Sequence, residues 1–148
     1  MISFKEAVKN GIKKTFTIEG RATLAEFWWY NLFTALLVSG LFGLGFGFLE
    51  ICRQFFSNEI VKIIDVIIFI PMIILLIFIA ISLLTLTVRR YHDVDVSGTI
   101  LLKLLIPIWW HHDGGPKLLD KGMQNDNQYG PSPYITAAEK EHFQKKMG

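Results

Sequence analysis

The sequence has little charge and almost no cysteine. Only 19% of its 148 residues are Asp, Glu, Lys or Arg, whereas soluble domains carry about 25%. The single cysteine, Cys52, cannot form a disulfide within the chain, so an oxidising compartment is not implied. The formal net charge is +2 and the basic residues form no dense run, which argues against a nucleic-acid partner.

Motifs that carry catalysis are also missing from the sequence. It contains no Gly-rich phosphate loop, no nucleophile elbow and no His-Glu-x-x-His zinc motif. His111, His112 and Asp113 are the best candidates for metal ligands, but adjacent histidines on a helix point about 100° apart, which suits a metal poorly. We interpret them as a solvated loop. The sequence therefore predicts no enzyme, no cofactor and no bound metal.

Apolar residues, in contrast, make up 51% of the chain. Two runs of 23 residues, 27–49 and 66–88, contain no charge at all. As a helix, each run extends for about 34 Å at ~1.5 Å per residue, enough to cross the hydrocarbon core of a bilayer. Pro71 is expected to kink the second helix or to mark its first turn. Both runs are predicted to be transmembrane helices.

A third apolar segment, residues 100–110, is shorter and contains Lys103. Apolar stretches of this length are more often interfacial, re-entrant or core helices than spans. The polar residues 111–117 that follow cannot continue a helix that faces lipid. The predicted fold class is an all-α integral membrane protein with two transmembrane helices and a short re-entrant or interfacial third segment.

These elements divide the chain into three parts. Residues 1–26 are predicted to be an interfacial segment, because Phe4, Ala7, Val8 and Ile12 recur close to helical spacing between lysines. A solvated terminus is the alternative for this segment. Residues 27–122 form the membrane domain, in which residues 100–119 are the range where a third span would lie. Residues 123–148 form a polar cytoplasmic tail.

Lys and Arg residues are distributed unevenly around the two long runs. Five precede the first run, two lie between the runs and eight follow the second. Because cytoplasmic segments carry an excess of Lys and Arg, both termini are predicted to be cytoplasmic, and residues 100–110 are predicted not to cross the membrane. With Lys103 set aside inside the span, a third crossing would leave seven of these residues on each side.

A membrane-edge polar cluster follows the second run directly and consists of Arg89, Arg90, His92 and Asp93. On a continuing helix Arg89 and Asp93 are four residues apart and are expected to pair. Ser82 and Thr85 extend the same face into the membrane. The cluster is either an interfacial ion-pair group that ends the helix, which we favour, or a buried polar site in which His92 titrates near neutral pH.

A strip of small residues follows the first run at four-residue spacing: Asn31, Ala35, Ser39, Gly43 and Gly47. Small residues in this register allow another helix to approach closely, and Gly43 with Gly47 is a GxxxG pair. The strip is predicted to be a helix-packing surface. Its partner is either the second span of the same chain, which we favour, or another subunit.

Three motifs occur in order along the chain: Gly20-Arg21-Ala22 with Glu26-Phe27-Trp28; Arg89-Arg90-Tyr91-His92-Asp93 with Ser97-Gly98; and Asn127-Gln128-Tyr129-Gly130-Pro131-Ser132-Pro133. Over about residues 18–133 the chain resembles the domain-of-unknown-function 805 family of small bacterial inner-membrane proteins. The resemblance implies a bacterial cytoplasmic membrane and no particular activity. The chain departs from the family pattern at His111–Lys117, which replace an apolar stretch, and at Gln128, where arginine is common.

Three functions fit these features. The leading hypothesis is a non-enzymatic inner-membrane module that packs against membrane lipids, another membrane protein or further copies of itself. The second is a subunit of an oligomeric channel or transporter, with a polar path near Ser82, Thr85 and Arg89. The third is a lipid-headgroup enzyme that uses His92 and Asp93.

Overall fold

A computed structural model of the chain describes residues 2–101 and 115–134. Over these residues the chain is helical and contains no strand, apart from one isolated bridge between Asn127 and Gly130. The helices are α1 (Phe4–Lys13), α2 (Leu24–Phe55), α3 (Asn58–Asp93) and α4 (Gly115–Leu119). The all-α prediction is confirmed.

The two long helices form an antiparallel hairpin that turns at Phe56 and Ser57. Contacts between them join the start of α2 to the end of α3: Tyr30 meets Ser82, and Phe46 meets Phe69 further along. Both helices are long and apolar enough to cross a membrane. Only 11% of the residues in the most apolar 18-residue stretch of each helix are buried within the chain. Many apolar side chains of the hairpin, such as Leu44 at 76% and Ile67 at 64%, are exposed.

Both helices extend beyond the uncharged runs. With 32 and 36 residues they are about 48 and 54 Å long at ~1.5 Å per residue. Charged residues continue the helices past the apolar runs, and at the hairpin turn they pair locally, as in Glu50–Arg53 and Glu59–Lys62. Because α3 begins at Asn58, Pro71 lies well inside it. The expectation that Pro71 could mark the first turn is wrong.

Helix α1 begins with a capping box, in which Ser3 and Glu6 bond to each other's backbone and side chain. These hydrogen bonds, the one from the Ser3 backbone first, lower the pKa of Glu6. Ala7 and Gly11 are buried, and Gly11 lies so close to the ring of Tyr30 on α2 that a β-carbon would overlap it. The helix over Phe4–Lys13 agrees with the helical spacing of the apolar residues in this part of the sequence. Its position at a membrane surface stays a prediction.

Several predictions concern segments outside the described residues. They include most of the third apolar segment (100–110), the candidate ligands His111, His112 and Asp113, and the end of the polar tail from residue 135 onward. The described part of that tail, up to Tyr134, is folded against the end of α3, as the hydrogen bonds below show.

Candidate functional site: a buried charge cluster at one end of the hairpin

Asp93, the last residue of α3, lies at the centre of a buried group of charges. Its side chain has no solvent exposure. One carboxylate oxygen accepts a hydrogen bond from Nε of Arg21 at 3.1 Å. The other accepts from Nη1 of Arg90 at 2.5 Å and from the hydroxyl of Tyr134 at 2.6 Å. A buried carboxylate is tolerated only when it is paired and hydrogen-bonded in this way.

The two arginines that hold Asp93 also bind backbone carbonyls of α4 and of the segment after it. Arg21 donates to the carbonyl of Asn125 at 2.7 Å and to that of Met123. Arg90 donates to the carbonyl of Leu118 at 3.1 Å and to that of Asp120. Each guanidinium therefore uses its several donors to join segments that lie far apart in the sequence.

Glycine is required at position 122 by this packing. A β-carbon there would overlap both the carboxylate of Asp93 and the hydroxyl of Tyr134. The backbone next to it is fixed as well, since the N–H of Met123 donates to the carbonyl of Asp93 at 2.9 Å. The chain after α4 thus passes directly over the end of α3.

A second ion pair lies beside the first. Arg89 is fully buried, and its Nη1 is 3.5 Å from the carboxylate of Glu26 in the first turn of α2. The remaining Arg89 nitrogens, Nε and Nη2, have no hydrogen-bond partner. We refer to the buried arginines and carboxylic acids at this end of the hairpin as the charge cluster: Arg21, Glu26, Arg89, Arg90 and Asp93.

His92 takes part in stacking and backbone contacts around this cluster. Its ring stacks on that of Tyr129, with centroids 3.9 Å apart and planes 3° from parallel. Its Nδ1 is 3.3 Å from the carbonyl of Gly20. The side chain of Asn127 donates to the His92 carbonyl at 2.8 Å. Each of the three motifs named above therefore contributes contacts to one place.

A few polar side chains join α1 to the hairpin at a second place, about two helical turns before Arg89 along α3. The hydroxyls of Tyr30 and Ser82 are 2.7 Å apart. Ser82 also donates to the carbonyl of Gly11 at 3.1 Å, and Thr15 donates to Ser82 at 3.3 Å. Ser82, Thr85 and Arg89 are all buried within the chain.

The predicted pairing of Arg89 with Asp93 is wrong. Helical spacing allows it, but Glu26 on α2 is the partner of Arg89, while Asp93 pairs with Arg90 three residues away and with Arg21. All four residues of the membrane-edge polar cluster are buried. Arg89, Arg90 and Asp93 take part in ion pairs at the end of α3, as the interpretation that we favoured expects. The position of the four residues at the membrane edge and the titration of His92 near neutral pH stay predictions.

Four residues of the site were not singled out from the sequence. Arg21 and Glu26 lie within the first of the three motifs, whereas Gly122 lies outside all three. Nothing in the local sequence marks Tyr134, whose side chain is 40% exposed although its hydroxyl reaches Asp93. Burial, followed by the hydrogen bond to Asp93, raises the pKa of Tyr134 to about 12.

The strip of small residues lies on a side of α2 that faces away from α3. Ala35, Ser39, Gly43 and Gly47 are exposed, and a β-carbon added at Gly43 or Gly47 would meet nothing within 4 Å. The glycine that faces α3 is Gly45, where an added β-carbon would lie 3.9 Å from Ile68. Packing of these glycines against the second span of the same chain, the alternative that we favoured, is therefore wrong. Packing against another subunit stays a prediction.

The carboxylate of Asp93 is occupied by contacts within the chain. Both oxygens of Asp93 are engaged by arginines, and among the described residues no group of His, Cys, Asp and Glu could hold a metal ion. What the cluster provides is a set of strong, buried contacts between the start of α2, the end of α3 and residues 118–134.

The helices and the cluster together define an all-α protein with two candidate membrane spans. A family comparison matches residues 15–131 to the family described as "Protein of unknown function (DUF805)". The match covers most of the chain, so the chain belongs to this family, and the resemblance inferred from the three motifs is confirmed. No curated protein and no solved structure matches the chain.

Proposed function

We propose that the chain is a non-enzymatic, two-span module of the bacterial inner membrane that packs against lipids and other membrane proteins. The observation that carries this proposal is the set of hydrogen bonds that the Asp93 carboxylate accepts. Its carboxylate binds two arginines and a tyrosine hydroxyl inside the chain. Asp93 therefore holds segments of the chain together, while the apolar sides of the hairpin stay exposed.

This arrangement supports a module over a lipid-headgroup enzyme. A general base must be within reach of the substrate proton and free to accept it. Asp93 has no solvent exposure, and the ring of His92 is covered on one face by Tyr129.

The same reasoning applies to the polar path of a channel. Ser82, Thr85 and Arg89 are buried inside a single chain, where Gly11, Thr15, Tyr30 and Glu26 contact Ser82 or Arg89. A path between subunits would require these side chains on an outer surface. The exposed surface of the hairpin is apolar instead, which suits lipid or a neighbouring helix.

The cytoplasmic orientation of both ends is part of the proposal. Residues 20–22 and residues 118–134 contact the same end of the hairpin. The excess of Lys and Arg before and after the hairpin supports a cytoplasmic location for that end.

A photo-crosslinking residue in place of Ser39 tests the packing role in intact membranes. Ser39 lies on the exposed small-residue strip, and Leu44, 76% exposed on another side of α2, is the control position. We expect a discrete protein crosslink from position 39 that Gly43→Leu or Gly47→Leu abolishes, because leucine prevents close helix approach. Crosslinks to lipid alone from both positions would contradict a protein-packing surface.

A further inference from the structure

We propose that the exposed face of α1 binds the headgroups of anionic lipids, so that α1 holds the end of the hairpin at a negatively charged membrane surface. The inference rests on the proposed membrane module and adds the class of lipid that it selects. The residues that carry it are Lys5, Lys9 and Lys13, which none of the contacts described above employs.

The three lysines form one stripe along α1. They follow each other at four-residue steps and are all exposed. Lys9 is two residues from both Ala7 and Gly11, the buried residues of α1, and two residues correspond to about 200° around a helix. The stripe therefore points away from the hairpin.

Apolar side chains lie beside the stripe. Phe4 and Ile12 on α1 are 44% and 49% exposed, and Phe16 and Ile18, just after the helix, are exposed further still. Helices that combine lysines with exposed aromatic and aliphatic residues in this way lie in the interface of a bilayer. A partner that matches both the lysines and the apolar side chains must offer negative charge next to hydrocarbon, as an anionic lipid does.

The depth of α1 along the hairpin agrees with this position. Its first residue, Phe4, packs against Phe33 of α2 with ring centroids 6.4 Å apart, and the carbonyl of Gly11 binds Ser82 of α3. Phe33 and Ser82 each lie six residues inside the uncharged runs, about 9 Å at ~1.5 Å per residue. Interfacial helices lie about 5–10 Å into the boundary between headgroups and acyl chains.

Charge then selects among lipids. Glu6 is the only acidic residue of α1, and its carboxylate is used by Ser3 in the capping box. Each basic residue held near an anionic leaflet strengthens association about fivefold, whereas a zwitterionic surface gives no such gain. The capping box and the contact of Gly11 with Tyr30 hold the stripe in place.

Fluorescence quenching in reconstituted bilayers tests the proposal. Trp109→Phe and Trp110→Phe leave Trp28 and Trp29 as the only emitters, and Trp29 contacts Phe4 of α1. The full chain is placed in phosphatidylcholine that contains the same fraction of lipid with brominated acyl chains, either phosphatidylglycerol or phosphatidylcholine. We expect stronger quenching by the brominated phosphatidylglycerol, because it accumulates around α1.

Two paired variants identify the residues responsible. Lys9→Gln with Lys13→Gln should bring the two quenching values together, whereas Arg53→Gln with Lys62→Gln, which removes the same charge at the other end of the hairpin, should leave them apart. Equal quenching by the two brominated lipids when Lys9 and Lys13 are unsubstituted would overturn the lipid-selective role. An equal effect of the two pairs of substitutions on the quenching values would overturn it as well. Quenching by neither lipid would instead contradict the membrane module itself.

Discussion

At the scale of single residues, burial decides how the charges of this chain interact. Arg89 and Glu26 have side chains that are 0% and 6% exposed, whereas Arg53 and Glu50 are 49% and 68% exposed. Removing one member of a buried pair leaves an uncompensated charge and costs about 3–5 kcal/mol. Exposed pairs contribute only about 0.2–1 kcal/mol. The distances alone, 3.5 Å for the buried pair and 2.5 Å for the exposed one, would suggest the opposite order.

We predict strong coupling between Arg89 and Glu26. A double-mutant cycle with Arg89→Gln and Glu26→Gln, measured as the free energy of unfolding in detergent micelles, should give a coupling well above 1 kcal/mol. The matched cycle, Arg53→Gln with Glu50→Gln, should give less than about 1 kcal/mol. Equal coupling in the two cycles would mean that Arg89 is as well solvated as Arg53.

At the scale of helices, the docking of α1 includes one approach so close that a side chain would block it. Gly11 rests against the ring of Tyr30, whereas Gly40 in α2 has open space where a side chain would be. Alanine is intrinsically the better helix former by about 0.5–1 kcal/mol at either position. Only at Gly11 is that gain opposed by a steric clash.

We predict that Gly11→Ala destabilises the protein and releases α1, while Gly40→Ala is neutral or slightly stabilising. Limited proteolysis in detergent provides the measurement, since Lys13 and Lys14 at the end of α1 are trypsin sites. Faster cleavage there in Gly11→Ala, but not in Gly40→Ala, is the expected result. Identical cleavage rates in the two variants would show that α1 is not held through Gly11.

The sequence allowed the helices to be predicted better than the site. Two uncharged runs of 23 residues suffice to predict two spans, because only a helix satisfies its own backbone in lipid. The ends of the helices were predicted less well, since charged residues at a membrane edge continue a helix without any apolar signal. Arg21 and Asp93 are separated by 72 positions, and the local rule of i,i+4 pairing gave Asp93 the wrong partner.

At the scale of the whole molecule, the hairpin and the cluster define two different ends. One end carries α1, the charge cluster and residues 118–134, and the other is the turn at Phe56 and Ser57. Among the described residues, the Lys and Arg side chains lie at the first end of the molecule, except Arg53 and Lys62 near the turn. The proposed orientation, with the first end in the cytoplasm, rests on that asymmetry.

We predict that the turn is periplasmic and that residue 124 is cytoplasmic. Single cysteines at Ser57 and Gln124, both exposed, in a Cys52→Ala background can be probed with a membrane-impermeant thiol reagent in intact cells. We expect labelling at position 57, and labelling at position 124 only after the membrane is opened. Labelling at position 124 in intact cells would contradict the proposed two-span topology.

The central claim is that Asp93 holds three distant segments together. Two backbone amides report on it, because the N–H of Ala22 binds the carbonyl of Arg89 at 3.0 Å and the N–H of Met123 binds that of Asp93 at 2.9 Å. Asp95→Asn is the matched control, since Asp95 is exposed and its left-handed φ of 58° suits asparagine.

Hydrogen–deuterium exchange of the Asp93→Asn variant in detergent is therefore the most direct measurement. The account predicts faster exchange in the segments around residues 22 and 123 together, with the middle of α2 and α3 unchanged and the Asp95→Asn variant like the unsubstituted protein. Unchanged exchange in both segments, or faster exchange in only one of them, would contradict it.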